Sequence, residues 1–263
     1  MKRHASQVNS EDANVPKAAP PIATNDDLNA ILRQYQNAEF LAIDTEFLRE
    51  RTYYPQLCLI QISDGVDAVA IDPLAPNLDL HPLWDLMRNQ NIIKVFHAGN
   101  QDMEIVLHLM GSLPEPIYDT QIAAMVCGLG DQVGYDKLVK AMLNLDIDKT
   151  SRFTDWSKRP LSNRQIIYAL DDVIYLAKLY PLMRSKLEAE NRSHWLDEEY
   201  AKSNDPATYV TAPDAAWQKL KGRNMRPAPL LRLLHLAAWR EREAQSRNLP
   251  RNRVIRDETL IDL

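Results

Sequence analysis

The chain has 263 residues, 31 Lys and Arg against 36 Asp and Glu, a formal net charge of −5, and a composition 45% hydrophobic and 25% charged. That balance is ordinary for a soluble globular protein, and the length allows one large core plus a smaller second unit. No apolar run approaches the ~20 residues needed to cross a bilayer, and Met1-Lys2-Arg3-His4 leads into polar residues without the apolar stretch of a secretory signal.

Taken in chain order, residues 1–22 are polar, hold Pro16, Pro20 and Pro21, and predict a disordered leader. Thr24 followed by Asp27 has the form of a helix start, and Leu28, Ile31 and Leu32 give that helix an apolar stripe. Strand patterns follow at 39–43, 57–63 and 68–72, joined closely enough for an antiparallel meander. A fourth strand, Ile92–Ala98, leads into a helix carrying Asp102 in its first turn. Another helix is expected from near Asp119, and the longest from about Ser162 to Glu188. Cys58 falls in a strand pattern and Cys127 at a helix end. Two scattered cysteines fit burial in a reducing, cytoplasmic setting better than a disulfide or a metal site.

Residues 203–214, with Asn204, Asp205, Pro206 and Pro213, read as a linker. Beyond it the charge changes sign. Residues 217–256 hold eleven Lys and Arg and two Glu, a local balance of +9, while the remainder carries −14. An acidic body with a basic attachment suits a polyanionic partner; a solvated helix surface is the alternative.

Four carboxylates in three patches carry the chemistry: Asp44 and Glu46, Asp102, and Asp172. On a strand, residues i and i+2 share a face, so Asp44 and Glu46 leave the first strand side by side. Tyr168 and Asp172 are i and i+4 on a helix and also share a face. Paired carboxylates repel unless a cation lies between them. Hard divalent metals take oxygen ligands, and a pair of them can clamp the attacking and leaving oxygens of a phosphodiester.

These patches resemble the three Exo motifs of the DEDD exonucleases, in the subclass with tyrosine four residues before the last aspartate. Asp44–Gly65, Val95–Ile105 and Ser151–Leu176 are similar, segment after segment, to the bacterial ribonuclease D group. Ala216–Leu220, Leu236–Glu241 and Leu249–Asn252 resemble the start of a helicase-and-RNase-D C-terminal (HRDC) domain. The family bundle has about eighty residues and cannot close its core with some fifty, so a fragment of a longer chain is expected.

The resemblance implies an α/β, ribonuclease H-like mixed five-stranded sheet flanked by helices, followed by the beginning of a helical HRDC bundle. Its expected parts are a 3′-5′ exonuclease domain over 23–202, the linker over 203–214 and the partial HRDC domain over 215–263. It also implies two Mg²⁺ or Mn²⁺ ions, about 4 Å apart, on Asp44, Glu46, Asp102 and Asp172. Tyr168, with a phenol pKa near 10, would orient the attacking water rather than deprotonate it. The implied activity is exonucleolytic removal of nucleoside 5′-monophosphates from single-stranded 3′ ends of structured RNA such as tRNA precursors, by a monomer.

Thr45, Phe47, His97, Lys149 and Arg159 are the expected substrate contacts. Phe47 is either the family's apolar wedge against the terminal base or ordinary core. His97 is either a structural histidine or a substrate contact. Lys149, Arg152 and Arg159 flank Asp155-Trp156 and either neutralise phosphates or belong to a solvated loop. Asp119 fits an N-cap as well as a catalytic role, and Asp171 points about 100° away from Asp172 round the helix.

Gly128, Gly130 and Gly134 have the wrong spacing for a dinucleotide fingerprint, and neither a P-loop, a nucleophile elbow nor zinc spacing is present. A DNA 3′-5′ exonuclease of the Werner or proofreading kind would use the same acids. A non-catalytic RNA-binding protein on a decayed nuclease fold would have lost one of them, and all are present.

Overall fold

The structure, a computed structural model, describes residues 17–221 and 225–263. Five strands, β1 (Phe40–Leu48), β2 (Gln56–Ser63), β3 (Ala68–Ile71), β4 (Ile93–Phe96) and β5 (Ile117–Asp119), form one mixed sheet in the order β3-β2-β1-β4-β5. β1 pairs antiparallel with β2 and parallel with β4. β3 and β5 extend the two sides, antiparallel and parallel respectively. This is the ribonuclease H-like arrangement expected from the sequence.

Alternation along β1 sorts its side chains. Leu41 and Ile43 face a core built with α1 (Asn25–Tyr35), α2 (His81–Met87) and α3 (Asn100–Met110). Ala42 faces the opposite core, with α4 (Thr120–Val126), α5 (Tyr135–Leu143) and α6 (Asn163–Ala189). A small side chain at Ala42 lets the long α6 lie close to the sheet through Val173, Leu176 and Ala177.

Helix starts are set by local chemistry. Thr24 caps α1 by accepting from the Asp27 N–H. Ser162 and Gln165 form a reciprocal capping box on α6. α3 has no side-chain cap of its own. Instead the Asp119 carboxylate accepts from the Ala98 and Gly99 N–H groups at 3.0 and 2.9 Å and from Gln121 at 2.7 Å, so one acid caps α4 and pins the turn into α3. Gly99 is required there, since a Cβ would come within 2.9 Å of the Phe96 Cβ.

Two boundaries differ from expectation. Residues 1–16 of the leader lie outside the described residues, but 17–22 are tied to the body. Ile22 makes a parallel bridge to Ile71, donating to Ala70 at 2.7 Å and accepting from Asp72 at 2.8 Å. The linker is ordered as well. Two 3₁₀ turns, Pro206–Thr208 and Pro213–Lys219, cross the body after α7 (Leu196–Ser203), and Tyr209 packs into the first core.

The C-terminal piece comprises α8 (Pro227–Ser246), α9 (Arg251–Val254) and α10 (Asp257–Asp262), around a small core of Ala216, Leu220, Leu233, Ala237 and Leu260. It docks on the β1–β2 loop. Asn248 accepts from the Tyr53 and Tyr54 N–H groups at 3.1 and 3.0 Å. Glu241, fully buried, accepts from the Arg251 guanidinium at 2.6 and 2.7 Å and from the Tyr53 hydroxyl. Arg240 is also buried and pairs with Asp257. Part of the basic surplus is therefore internal structure rather than a face for a polyanion.

Replacing Glu241 with alanine removes the carboxylate partner of Arg251 and the acceptor of the Tyr53 hydroxyl, leaving Arg251 its contacts with Tyr53 and Thr211 at that junction. We expect a loss of about 2 kcal/mol in urea unfolding, with faster amide hydrogen exchange across residues 49–55.

Candidate active site

Asp44 lies on β1 beyond the last residue pairing with β4, so the acids emerge at the carboxyl ends of parallel strands. A register shift between Glu46 and Phe47 follows at once and re-aims the strand. Asp44, Glu46 and Asp172 each present a ligand atom within 4.8 Å of one another. Thr45, on the alternate face of β1, donates to Asp102 Oδ1 at 2.5 Å. Side chains from β1, α3 and α6, up to 128 positions apart, thus line one cleft of about 720 Å³ together with Tyr168.

Burial, and after it the mutual repulsion of the acids, sets the electrostatics. Burial and then the Asp172 charge push Asp44 well above the usual carboxylate range. Burial, Asp44, Asp172 and Asp102 push Glu46 up to about 10. Burial and Asp44 raise Asp102 likewise. Asp172 reaches about 7, raised by burial and Asp171 and drawn down by the Tyr168 hydroxyl and Arg152. Burial, then Asp172, Glu46 and Asp44, hold the Tyr168 phenol protonated far above neutrality. A cluster of hard oxygen donors that cannot all ionise unaided fits a divalent cation.

Phe47 is half-buried, lines the cleft and packs its other side on the first core. His97 lines the cleft too, with Nδ1 against Thr120 Oγ1 at 3.0 Å and burial lowering its pKa. Lys149 reaches the cleft but is held by Asp136 at 2.6 Å.

Arg159 does not reach it. Its guanidinium grips both oxygens of Asp72 at 2.7 and 2.6 Å and donates to the Cys58 and Trp156 carbonyls. The expected substrate contact is a structural clamp between the Trp156 loop and the β2–β3 edge. Arg152 takes the place in the cleft instead. Asp119 and Asp171 are not among the cleft-lining residues.

Tyr135 was not anticipated. It lines the cleft from the start of α5, its hydroxyl donates to the Asp172 carbonyl oxygen, and its ring lies 5.1 Å from that of His97. Its one sequence signal is a tyrosine directly after Gly134, whose glycine-rich stretch matches no phosphate loop.

A mixed sheet of this order, with acids converging from β1, α3 and α6, is the architecture of the ribonuclease H-like nucleases. The 3′-5′ exonuclease family matches residues 20–188, and the HRDC domain family matches residues 230–263. The chain belongs to the 3′-5′ exonuclease family. A curated relative, ribonuclease D of Zymomonas mobilis subsp. mobilis, is 51% identical over 245 residues, 93% of this chain and 63% of that protein. The crystal structure of Escherichia coli RNase D, an exoribonuclease involved in structured RNA processing, superposes with a TM-score of 0.85 at 37% identity, covering 93% of this chain and 65% of that one. Brucella melitensis NrnC with bound Mg²⁺ matches at a TM-score of 0.57 and 29% identity, over 64% of this chain and 82% of that one. The chain spans just under two thirds of the length of the ribonuclease D proteins it matches.

Arg159→Met would remove the guanidinium that serves Asp72 and the Cys58, Trp156 and Lys158 carbonyls. We expect roughly 3 kcal/mol of destabilisation in urea unfolding, with turnover per folded molecule preserved. The raised acids set a pH dependence. Without metal, the fold is most stable with them protonated. Stability falls as pH climbs from about 4 through about 7 for Asp172 and towards about 10 for Glu46. Mn²⁺ at a hundred times its dissociation constant should raise Tm by roughly 5–10 °C at pH 8, and by much less at pH 5, when followed by calorimetry against chelator.

Proposed function

We propose that the protein is a metal-dependent 3′-5′ exoribonuclease that trims single-stranded 3′ ends of structured RNA, tRNA precursors among them. In this reading it acts as a cytoplasmic monomer and releases nucleoside 5′-monophosphates. The observation that carries it is the convergence of Asp44, Glu46, Asp102 and Asp172 in one cleft with Tyr168, on a chain half identical to ribonuclease D.

The four acids would hold two Mg²⁺ or Mn²⁺ ions. When bound, the ions supply Lewis-acid polarisation of the phosphodiester and neutralise charge on its attacking and leaving oxygens. The chain supplies placement. Thr45 fixes Asp102, and Tyr135 fixes the α6 backbone at Asp172. Tyr168 keeps its proton and so is no base; its hydroxyl, hydrogen-bonded to Asp172, would orient the attacking water rather than deprotonate it. Phe47 offers an apolar side for the terminal base, and Arg152 a cation for the phosphates.

The test uses labelled single-stranded RNA and DNA with Mg²⁺, with chelator, and with Asp44→Asn. RNA should shorten stepwise from a free 3′ hydroxyl and resist when that end carries phosphate. Asp44→Asn should lower the rate by at least about 10³-fold, and Tyr168→Phe should lower kcat by roughly 10²-fold with KM little changed. Equal degradation of DNA removes the RNA assignment, and activity surviving in chelator removes the metal role.

A further inference from the structure

Phe153 is 90% exposed. A solitary surface phenylalanine needs no special account, but this one sits where chance exposure is least idle. It lines both the catalytic cleft and an adjoining groove of about 350 Å³, whose charged lining residues are Glu50, Arg51 and Asp155. The Arg152 guanidinium lies 5.3 Å from the ring centroid, inside the range of a cation–π contact. With so little of the ring covered, most of its surface stays open to water.

Arg152 differs from its basic neighbours. Lys149 is held by Asp136 and Arg159 by Asp72, whereas Arg152 pairs with no carboxylate among the described residues. It is still near enough to the acids to draw down Glu46 and Asp172. An open aromatic face and an uncommitted guanidinium, adjacent in sequence at one rim of the cleft, match the two repeating features of a single strand, its bases and its phosphates.

We infer that Phe153 and Arg152 form a stacking subsite for a nucleobase of the RNA strand on the 5′ side of the scissile phosphate. The 3′-terminal nucleotide then sits among the acids, Phe47, His97 and Tyr135, all of which line the cleft. The remaining strand must leave over an open rim, and Phe153 stands on it. Every base has a π face, so such a contact is indifferent to sequence, as stepwise removal of successive nucleotides requires. Phe153 is a positioning residue here, acting on strand placement rather than on bond cleavage.

The subsite rests on the exoribonuclease reading, and the experiment separates the two. Phe153→Ala and Phe153→Trp are compared with the unsubstituted protein on a ten-nucleotide single-stranded RNA and on a dinucleotide. Anisotropy of the labelled decamer in chelator reports binding without turnover. Alanine should raise KM and weaken binding for the decamer about tenfold, within the range for one lost base stack, with kcat changed less than twofold. Tryptophan should restore both, and the dinucleotide should lose several-fold less than the decamer. Decamer constants alike in all three proteins overturn the subsite, as does an equal loss on the dinucleotide. If the decamer binds through Phe153 but is never shortened, the nuclease reading fails and the subsite stands. If it is shortened without regard to Phe153, the subsite alone fails. If it neither binds nor shortens, both fail.

Discussion

Mutual repulsion among buried carboxylates is the constraint on which the rest of this molecule depends. Asp44, Glu46 and Asp172 bring ligand atoms within 4.8 Å of one another, in surroundings that push every one of them above its ordinary range. A surface loop would relieve such crowding by moving. Here the acids stand on a central strand and a 27-residue helix, both packed into cores on which the fold relies. The strain is retained because relieving it would mean unpacking the sheet. Retained repulsion is also what gives a site its appetite for divalent cations.

The polar contacts around the cluster act as restraints on it. Thr45 turns Asp102 towards β1, and Tyr135 ties the α6 carbonyl at Asp172 to α5. Asp119 stands one step further out, holding the turn that enters the Asp102 helix while capping the next one. Each restraint joins two elements far apart in sequence. A change at Asp119, which lies outside the cleft, would therefore act on the geometry of the acids without touching a substrate.

Legibility in the sequence followed the range of the forces involved. Strand alternation, helix caps and the i, i+2 and i, i+4 spacing of the acids are local. From them β2, β3, β4, α1, α3, α4 and α6 could be placed to within a few residues, and the shared faces of Asp44 with Glu46 and Tyr168 with Asp172 could be read directly. The apolar pattern of β1 stops at residue 43, whereas the strand runs on through the acids to Leu48. The sheet order and convergence of the patches came through resemblance to a family, since pairing of strands fifty residues apart leaves no local trace. β5, three residues long, was not located at all. Arg159 misled because its charge was visible and its partner was not: Asp72 lies 87 positions away. Tyr135 and the Asn248 contact to Tyr53 were hidden for the same reason, whereas Arg152, one of the three basic residues noted around Asp155-Trp156, does line the cleft.

The C-terminal piece shows how a charge count can mislead about purpose. A surplus of +9 over 217–256 suggests a polyanion-binding face, yet Arg240 and Arg251 are turned inward, onto Asp257 and Glu241. Arg251 also stacks over Tyr53, 4.8 Å from the ring centroid, on the loop that begins where the catalytic strand ends. Two of the eleven cations thus serve as mortar between the nuclease body and the helices that follow it. The coupling runs through residues 49–55, which link Glu46 and Phe47 on one side to Leu57 and Cys58 on the other. Holding that loop braces the bulged end of β1 from outside, while α6 braces it from beneath. On this account the helical attachment contributes to the site through stiffness as well as through charge, and the two contributions separate by salt: phosphate contacts weaken as ionic strength rises, whereas the buried Glu241–Arg251–Tyr53 junction is largely shielded from it.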